Sequence, residues 1–193
     1  LISKHILNDK KVVFEGAQGT YLDNTCGTYP YVTSSSTTAS GICVGAGVGP
    51  KVIDHVIGVT KAYATRVGNG PFPTELKKDE TFVQHDIARE FGTTTGRKRS
   101  IGWFDGVLLK NAVHLNGLQS LALTKLDVLD ELKEVKICVG YKHKGVMSSY
   151  TPTLAADFSD IEPVYESMPG WLSSTKAIQN WEELFKKAQD YLE

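Results

Sequence analysis

Residues 121–130, LALTKLDVLD, contain the point at which an apolar run gives way to charged side chains. Residues 121–123 are typical of the end of a buried strand, and Lys125 and Asp127 follow directly. In an open α/β sheet, ligands bind outside the carboxyl ends of the strands. A carboxylate there can accept hydrogen bonds from both N1–H and N2–H of guanine, while a lysine stem lies along the face of the base. The T-K-x-D pattern therefore indicates a guanine site, and the alternative interpretation is a strand followed by a solvated, charged turn.

The composition predicts one ordinary globular domain, residues 1–193. A length of 193 residues allows a sizeable core, and 41% hydrophobic with 22% charged residues is typical of soluble domains. A formal net charge of -1 argues against a nucleic-acid partner, and the apolar runs are too short to span a membrane. The cysteines are widely spaced and form no C-x-x-C pair, which argues against zinc and disulfides, so we expect a reduced, cytoplasmic protein.

Segments with strand and helix patterns alternate along the chain, which predicts an α/β fold. Strands are predicted at residues 12–14, 121–123 and 135–141. The last of these rests on the alternation of Val135, Ile137 and Val139 with other residues.

Helical patterns occur in the segments between and after these strands. Helices are predicted at residues 51–66, 79–92, 103–117 and 180–193. Apolar residues at helical spacing support the first and the last of them, namely Val52, Ile53, Val56 and Ile57, and then Trp181, Leu184 and Phe185. Gly117 is predicted to close the helix at 103–117.

A polar, basic loop, TTTGRKRS, occupies residues 93–100. It combines threonine hydroxyls with Arg97, Lys98 and Arg99 around Gly96. An arginine guanidinium is a rigid fork that suits a carboxylate or a phosphate, and glycine lets the backbone approach a ligand closely. The loop is therefore a candidate anion site, and the alternative is a solvated basic turn.

Two common glycine-rich nucleotide patterns are absent from the chain. The segment GAGVGP, residues 45–50, lacks the full G-x-G-x-x-G pattern and follows no clear strand, which argues against a dinucleotide site. No G-x-x-x-x-G-K-[ST] phosphate loop occurs in the 193 residues. If Asp127 binds guanine, the phosphates must therefore be held from outside this chain.

Gln18 stands between small residues in FEGAQG, residues 14–19, directly after the predicted strand at 12–14. Its amide could bind a heterocycle through both a donor and an acceptor. The alternative is a turn residue that bonds its own backbone. The histidines show no pairing with Cys or Asp at catalytic spacing, so we interpret all of them as structural or exposed.

Several segments of the chain, in the same order, resemble the adenylosuccinate synthetase family. They are FEGAQGTYLD, GTYPYVTSSSTTASG, VTKAYATRVGNGPFPTE, TTTGRKRSIGWFD, LTKLDVLDELKEVKICVGY and YESMPGW. Together they cover nearly the whole chain, and the departures, in NTCG and SSSTTASG, are local. The resemblance implies an α/β fold with a mostly parallel central sheet and flanking helices, similar to the P-loop GTPases, of which this chain would form an incomplete part.

The resemblance also implies an activity, a cofactor and partners. Members of the family are homodimers that use GTP and Mg²⁺ to join inosine monophosphate (IMP) to L-aspartate, forming adenylosuccinate on the route from IMP to AMP. The GTP γ-phosphoryl group is transferred to the 6-oxygen of IMP, and the aspartate amine then displaces it. The phosphate loop, the catalytic aspartate and histidine, the Mg²⁺ ligands and a C-terminal segment over guanine would lie outside this chain.

Carried over residue by residue, the resemblance implies three binding regions. Gln18 would contact the 6-oxygen of IMP, Thr33 its 5′-phosphate, and Val67 and Arg97 its ribose. The aspartate loop would consist of Thr93, Thr94, Thr95, Gly96, Arg97, Lys98 and Arg99, with Thr95 and Arg97 on the carboxylates. Arg99 would also approach the GTP phosphates, and guanine would be held by Lys125, Leu126 and Asp127.

Two functions stay open on sequence alone. The first is a part of a ligase that acts within the full-length enzyme and is inactive by itself. The second is a stand-alone GTP- or purine-nucleotide-binding module without catalysis. A reading frame that continues upstream with a glycine-rich, aspartate-containing loop would favour the first, and a start codon close to Leu1 would favour the second.

Overall fold

Helices and short strands alternate in the computed structural model, which describes residues 2–77, 90–92, 96–152 and 155–193. The α-helices are α1 (Ile2–Leu7), α2 (Ala39–Ala46), α3 (Gly106–Asn116) and α4 (Lys186–Leu192). The strands are β1 (Ile57–Lys61), β2 (Ala64–Arg66), β3 (Ser100–Gly102), β4 (Phe104–Asp105), β5 (Ser120–Thr124), β6 (Glu134–His143), β7 (Val146–Ser148) and β8 (Ile161–Pro169). Short 3₁₀ helices lie at Thr20–Leu22, Pro50–Val52, Leu126–Leu129, Ala155–Phe158 and Trp181–Glu183.

Parallel pairing joins strands that are distant in the chain, and the predicted α/β fold is confirmed. β1 pairs in parallel with β5, from Ile57 opposite Ser120 to Lys61 opposite Thr124. β4 pairs in parallel with β6, which also pairs antiparallel with β7 and β8. β2 and β3 form an antiparallel pair. The register of β1 and β5 brings the carboxyl ends of both strands to one edge, and the candidate site lies there.

Helix α3 connects β4 to β5 and has a capping residue at each end. The Oδ1 atom of Asp105 accepts a hydrogen bond from the Leu108 backbone N–H at 3.0 Å, which satisfies one donor of the first turn. Gly117 follows the helix with a φ of 60°, a left-handed conformation that a residue without Cβ adopts at little cost. The prediction of a helix closed by Gly117 is confirmed.

The main core packs directly against the ends of β1 and β5. Its fully buried side chains come from the segments after both strands, from β6 and from α4, and include Ala62, Tyr63, Leu129, Val135, Ala188 and Tyr191. The hydroxyl of Tyr191 donates to the Ala62 carbonyl, and its ring contacts Trp171 with centroids 6.0 Å apart. Helix α4 is thereby attached to the segment that leaves β1.

The prediction of a helix at residues 51–66 is wrong, because β1 and β2 occupy half of this segment. Ile57, Val59 and Thr60 are β-branched, which favours a strand, and the same residues fit both a helical and a strand pattern. Pairing with β5 decides between the two. The side chain of Ile57, one of the four residues at helical spacing, is 60% exposed, so the apolar spacing did not mark a core face.

The prediction of a strand at residues 12–14 is also wrong. Residues 10–17 form neither helix nor strand, and Val13 is 91% exposed. An apolar run becomes a strand only when a neighbouring strand pairs with its backbone, and no strand among the described residues does so here.

The strands predicted at 121–123 and 135–141 are confirmed as parts of β5 and β6, but their burial differs from expectation. Leu121 is 44% exposed, so the described residues leave its face of β5 uncovered. In β6 a register shift between Cys138 and Gly140 interrupts the alternation. As a result Cys138 is buried and Val139 is exposed.

The C-terminal helix is shorter than predicted. Phe185, with a ψ of 137°, precedes α4, which begins at Lys186. Trp181 and Phe185 are exposed, whereas Leu184 packs against the core, so the predicted apolar face is wrong for two of its three residues. Of the helix predicted at residues 79–92, positions 79–89 lie outside the described residues, and positions 90–92 are not helical.

Candidate functional site at the ends of two parallel strands

A buried carboxylate, that of Glu90, lies at the edge where β1 and β5 end. Its side chain is 1% exposed and accepts hydrogen bonds from Lys61 Nζ at 2.8 and 2.9 Å and from Lys125 Nζ at 2.9 Å. The Tyr63 hydroxyl also donates to it, and Arg99 Nη1 lies 3.6 Å from Oε2. We call these five residues the Glu90 cluster.

The parallel register explains why two lysines from distant segments meet. Lys61 ends β1 opposite Thr124, and the Ala62 backbone N–H donates to the Thr124 carbonyl at 2.8 Å. Lys125, the next residue, has a φ of 58° and turns the chain into the 3₁₀ helix Leu126–Leu129. A left-handed conformation is unusual for a residue with a side chain, and such strain is concentrated at functional sites.

The Glu90 cluster carries more positive than negative charge. Burial alone would raise the pKa of Glu90, but hydrogen bonds from Lys61, Tyr63 and Lys125 lower it to about 2. The carboxylate is therefore ionised at neutral pH and faces three cationic side chains. Within the described residues, the buried Nε of Arg99 has no hydrogen-bond partner. An anion bound beside Arg99 would balance the excess positive charge and accept a hydrogen bond from the Arg99 Nε–H.

An open cleft of about 550 Å³ adjoins the cluster, within the range of small-molecule sites. One wall consists of Lys125, Leu126 and Asp127, and the other of residues between Thr175 and Leu184. The Asp127 side chain is 37% exposed, and Lys176 Nζ lies 4.0 Å from its Oδ2. Among the described residues, no hydrogen bond reaches the Asp127 carboxylate. Its oxygens can therefore accept from a ligand in the cleft.

The opposite wall of the cleft is held by Asp130, whose role the sequence reasoning missed. The buried Asp130 carboxylate accepts from Trp171 Nε1 at 2.7 Å, from the Thr175 backbone N–H at 2.7 Å and from its hydroxyl at 2.9 Å. A Cβ on Gly170 would lie 1.8 Å from the Leu132 carbonyl oxygen, so only glycine allows this approach before Trp171. In the sequence, the one sign of this role is that Asp130 is a second aspartate, three residues after Asp127.

The predicted aspartate loop is only partly described. Thr93, Thr94 and Thr95 lie outside the described residues. The ends of the loop are joined by a backbone hydrogen bond from Gly92 N–H to the Arg97 carbonyl at 2.7 Å and by a bridge between Phe91 and Lys98. Gly96 has a φ of 62°, a left-handed conformation that favours glycine.

The basic residues of this loop separate into two environments. Arg97 and Lys98 are exposed, whereas Arg99 is half-buried in the Glu90 cluster. The Arg99 backbone N–H also donates to the Glu90 carbonyl at 3.0 Å. The structure thus brings Arg99 and Lys125 together around one carboxylate and leaves Arg97 on the outer side of the turn.

Gln18 and Thr33 meet in a second polar group, connected by Ser35. The Ser35 hydroxyl donates to Gln18 Oε1 at 3.2 Å and lies 3.4 Å from the Thr33 hydroxyl. Gln18 has a φ of 70°, so it occupies a turn, but its amide bonds a side chain rather than its own backbone. The structure therefore brings together two residues that the resemblance assigns to IMP.

Asp23, which the sequence reasoning passed over, organises the loop around Thr33 and Ser35. Its carboxylate is 1% exposed and accepts from backbone N–H groups at both ends of the loop, those of Thr25, Cys26, Thr37 and Thr38. Burial raises its pKa, but these hydrogen bonds lower it to about 2. A short-range sequence pattern does not reveal such a centre, because half of its donors lie more than ten positions away.

Strand β2 connects this polar loop to the Glu90 cluster. Lys61 Nζ donates to the Thr65 hydroxyl at 2.8 Å, while Arg66 donates to Thr28 Oγ1 at 3.3 Å and to the Tyr31 carbonyl at 3.1 Å. Val67 directly follows Arg66 and is partly exposed. The hydrogen bonds of Arg66 therefore keep the neighbouring residue Val67 close to the loop that contains Thr33.

Nowhere in the described ranges do three or more His, Cys, Asp or Glu side chains form a group that could hold a metal ion. The helices of these ranges also fall short of the length and apolarity that a membrane span needs.

An α/β fold with a cationic cluster and an open cleft at parallel strand ends is typical of nucleotide-binding proteins. The model of the adenylosuccinate synthetase family matches residues 1–193. The chain therefore belongs to the adenylosuccinate synthetase family, as its sequence segments predicted.

Named relatives agree with this assignment. The adenylosuccinate synthetase of Prochlorococcus marinus (strain MIT 9211) is 56% identical over 185 residues, which are 96% of this chain and 42% of the relative. That of Synechocystis sp. (strain ATCC 27184 / PCC 6803 / Kazusa) is 57% identical over 185 residues, 95% of this chain and 41% of the relative. The fully ligated adenylosuccinate synthetase from Plasmodium falciparum has a TM-score of 0.94 at 40% identity, covering 98% of this chain and 46% of that one. The chain thus spans less than half of the length of these relatives.

Proposed function

We propose that this chain forms the guanine, IMP and aspartate pockets of a GTP-dependent ligase that joins IMP and L-aspartate into adenylosuccinate. The observation that carries the proposal is the cleft at the end of β5, which is lined by the partly exposed carboxylate of Asp127 and by Lys125. Family membership supports the reaction class. Because the chain covers 42% of a relative such as that of Prochlorococcus, we propose that it works within a longer polypeptide.

Guanine would occupy the cleft with its N1–H and N2–H directed at Asp127. A carboxylate offers two acceptor oxygens at the spacing of these two donors, whereas adenine presents no such pair. The Lys125 stem and Leu126 border the same cleft and would pack against the base. Lys125 is held in place by its hydrogen bond to Glu90 at 2.9 Å.

The anionic parts of the substrates would bind at the basic loop. Arg97 on the exposed side would hold a carboxylate of aspartate and reach the IMP ribose, together with Thr93, Thr94 and Thr95. Arg99, whose Nε is buried without a partner in the described residues, would contact a GTP phosphate. Gly96 and Lys98 would complete the loop.

IMP would bind at the polar group of Gln18, Thr33 and Ser35. The Gln18 amide N–H would donate to the 6-oxygen as negative charge develops there, and the Thr33 hydroxyl would donate to the 5′-phosphate. Val67 would border the ribose. In the reaction, the γ-phosphoryl group leaves GDP for the 6-oxygen, and the aspartate amine then displaces phosphate from C6 with loss of a proton.

Mg²⁺, when bound, would neutralise charge on the transferring phosphoryl group. We propose, on the basis of the family, that its ligands lie in segments outside this chain, as do the catalytic aspartate and histidine. We further propose a homodimer in the cytoplasm, on the basis of the family.

The test uses the full-length protein, by which we mean the product of the whole reading frame that encodes this chain. Incubation with IMP, GTP, L-aspartate and Mg²⁺ should yield adenylosuccinate, GDP and phosphate in equal amounts, as measured by mass spectrometry and a phosphate assay. Binding of GTP without turnover would contradict the ligase and support a nucleotide-binding module without catalysis.

A further inference from the structure

Glu90 lies between two of the proposed binding regions and contacts a cation from each. Lys125 Nζ, at the cleft, donates to Oε1 at 2.9 Å, while Arg99 Nη1, from the basic loop, lies 3.6 Å from Oε2. The Glu90 carbonyl also accepts from the Arg99 backbone N–H at 3.0 Å. One residue thus joins the loop to the end of β5 through both its side chain and its backbone.

The surroundings of Glu90 exclude a direct role in binding a substrate. Its side chain is 1% exposed, and its oxygens are occupied by Lys61, Tyr63 and Lys125. Any effect of Glu90 on a ligand must therefore pass through the residues that it holds. Lys61 is fixed in turn by the Thr65 hydroxyl at 2.8 Å, so the carboxylate sits in a connected network rather than in one isolated pair.

We propose that Glu90 is a positioning residue that fixes Lys125 at the guanine cleft and Arg99 at the anion-binding loop. The proposal rests on the function proposed above. Without the carboxylate, the positive charges of Lys61, Arg99 and Lys125 repel one another at close range. Lys125 has a side chain that is 34% exposed, so it can turn into solvent, away from the base. Loss of Glu90 therefore weakens GTP and aspartate binding together and affects IMP binding at Gln18 and Thr33 less.

Replacement Glu90→Gln in the full-length protein tests this, because it removes the charge and keeps the volume. Initial rates give the KM of each substrate. The KM values for GTP and aspartate should rise about ten- to one-hundredfold, the range expected for lost charge-assisted hydrogen bonds. The KM for IMP should rise less than either, because Gln18 and Thr33 lie outside the Glu90 cluster. The control Glu162→Gln removes an exposed carboxylate of β8 and should leave all three values unchanged.

A double-mutant cycle separates positioning from general stabilisation. In a Lys125→Met background, Glu90→Gln should raise the GTP KM much less than in the wild type, while its effect on the aspartate KM persists. A GTP KM that is unchanged or lower in Glu90→Gln overturns the proposal. So does an equal rise for all three substrates that follows the loss in melting temperature.

Two further measurements keep the test independent of folding and of turnover. If Glu90→Gln does not fold, the variants Lys125→Met and Arg99→Met are combined instead. Non-additive effects on the GTP KM support the coupling of Lys125 and Arg99 through Glu90, and additive effects overturn it.

If the wild-type protein shows no turnover, the proposed function fails. Calorimetric GTP binding then tests Glu90 alone, and an equal Kd for wild type and Glu90→Gln overturns its positioning role.

Discussion

Asp130 and Thr175 are joined by two hydrogen bonds, from the Thr175 backbone N–H to Oδ2 at 2.7 Å and from its hydroxyl to Oδ1 at 2.9 Å. Both side chains are buried, and Trp171 Nε1 donates to the same carboxylate at 2.7 Å. Asp130 caps the 3₁₀ helix that carries Asp127, and Thr175 begins the opposite wall of the cleft. The pair therefore joins the segments that form the two walls of the cleft.

Asp130→Asn should lower the melting temperature and raise the GTP KM of the full-length protein. The amide N–H₂ group would face one of the groups that now donate a hydrogen bond to the carboxylate. Two donors that face each other cost about 1–3 kcal/mol. Thermal unfolding and initial rates measure the two effects. The control Asp190→Asn removes an exposed carboxylate paired with Lys186 and should change stability by less than about 0.5 kcal/mol. Equal effects of the two variants would contradict this role of Asp130.

Asp23 should make the stability of the polar loop depend on acid pH. Its pKa is about 2 in the folded protein against 3.8 ordinarily, because backbone hydrogen bonds outweigh the effect of burial. A carboxyl group with a lowered pKa contributes stability above its unfolded pKa and loses it as the pH falls through the folded value. The contribution, about 2 kcal/mol, should be present above about pH 4 and lost near about pH 2.

Asp23→Asn checks this by denaturant unfolding of the full-length protein at several pH values. The variant should be less stable at neutral pH, and the difference from wild type should shrink as the pH falls towards 2. The exposed Asp54→Asn serves as the control and should keep the wild-type pH dependence. A difference that stays constant with pH would count against the role of Asp23.

Local signals predicted the elements whose ends are marked in the sequence. Gly117 marked the end of helix α3, whereas its start was predicted at residue 103, three residues before Gly106. The end of β5 was likewise visible, because Lys125 and Asp127 stop an apolar run. The segment at residues 51–66 was predicted wrongly, since β-branched residues fit both patterns until the partner strand is known.

The residues that organise the candidate site were missed, and they share one property. Glu90, Asp23 and Asp130 are buried carboxylates whose partners come from distant positions, such as Lys61 and Lys125 for Glu90. A single acidic residue in a sequence is most simply interpreted as solvated. Only the fold shows that three cations converge on Glu90. The family, in contrast, was predictable because many weak segments agreed in order, and the family match confirms it.

Arg97→Leu should raise the aspartate KM and also lower kcat in the full-length protein. The change would remove the guanidinium fork that we propose to hold a substrate carboxylate, and such a bond contributes roughly 1.5–3 kcal/mol. Steady-state kinetics with varied aspartate measure the effect. The control Lys110→Leu removes an exposed cation from α3 and should leave the aspartate KM unchanged. Unaltered aspartate kinetics in Arg97→Leu would remove Arg97 from the site.

The 193-residue chain alone should not form adenylosuccinate. It contains no G-x-x-x-x-G-K-[ST] phosphate loop, and phosphoryl transfer depends on positioned phosphates and on metal-assisted neutralisation of charge. A spectroscopic assay with IMP, GTP, aspartate and Mg²⁺ compares the chain with the full-length protein. Turnover by the chain at the rate of the full-length protein would contradict this expectation.

Asp127→Asn should change the base preference of the full-length protein from guanine to xanthine. The amide keeps one acceptor for N1–H but directs a donor at the guanine amino group, and the same donor suits the C2 carbonyl of xanthine. The lost charge-assisted bond and the donor–donor clash should together reduce kcat/KM for GTP by about 30- to 800-fold. The constants for IMP and aspartate should change little, since the residues proposed to bind them lie elsewhere.

The comparison of GTP and XTP kinetics for Asp127→Asn is the most direct test that this cleft binds guanine. A guanine-binding Asp127 predicts that XTP becomes the better substrate while the melting temperature stays near that of the wild type. A structural Asp127 predicts equal losses with both nucleotides and a lower melting temperature. If XTP gains nothing relative to GTP, Asp127 does not bind the base, and the central claim of a guanine site at the end of β5 is contradicted.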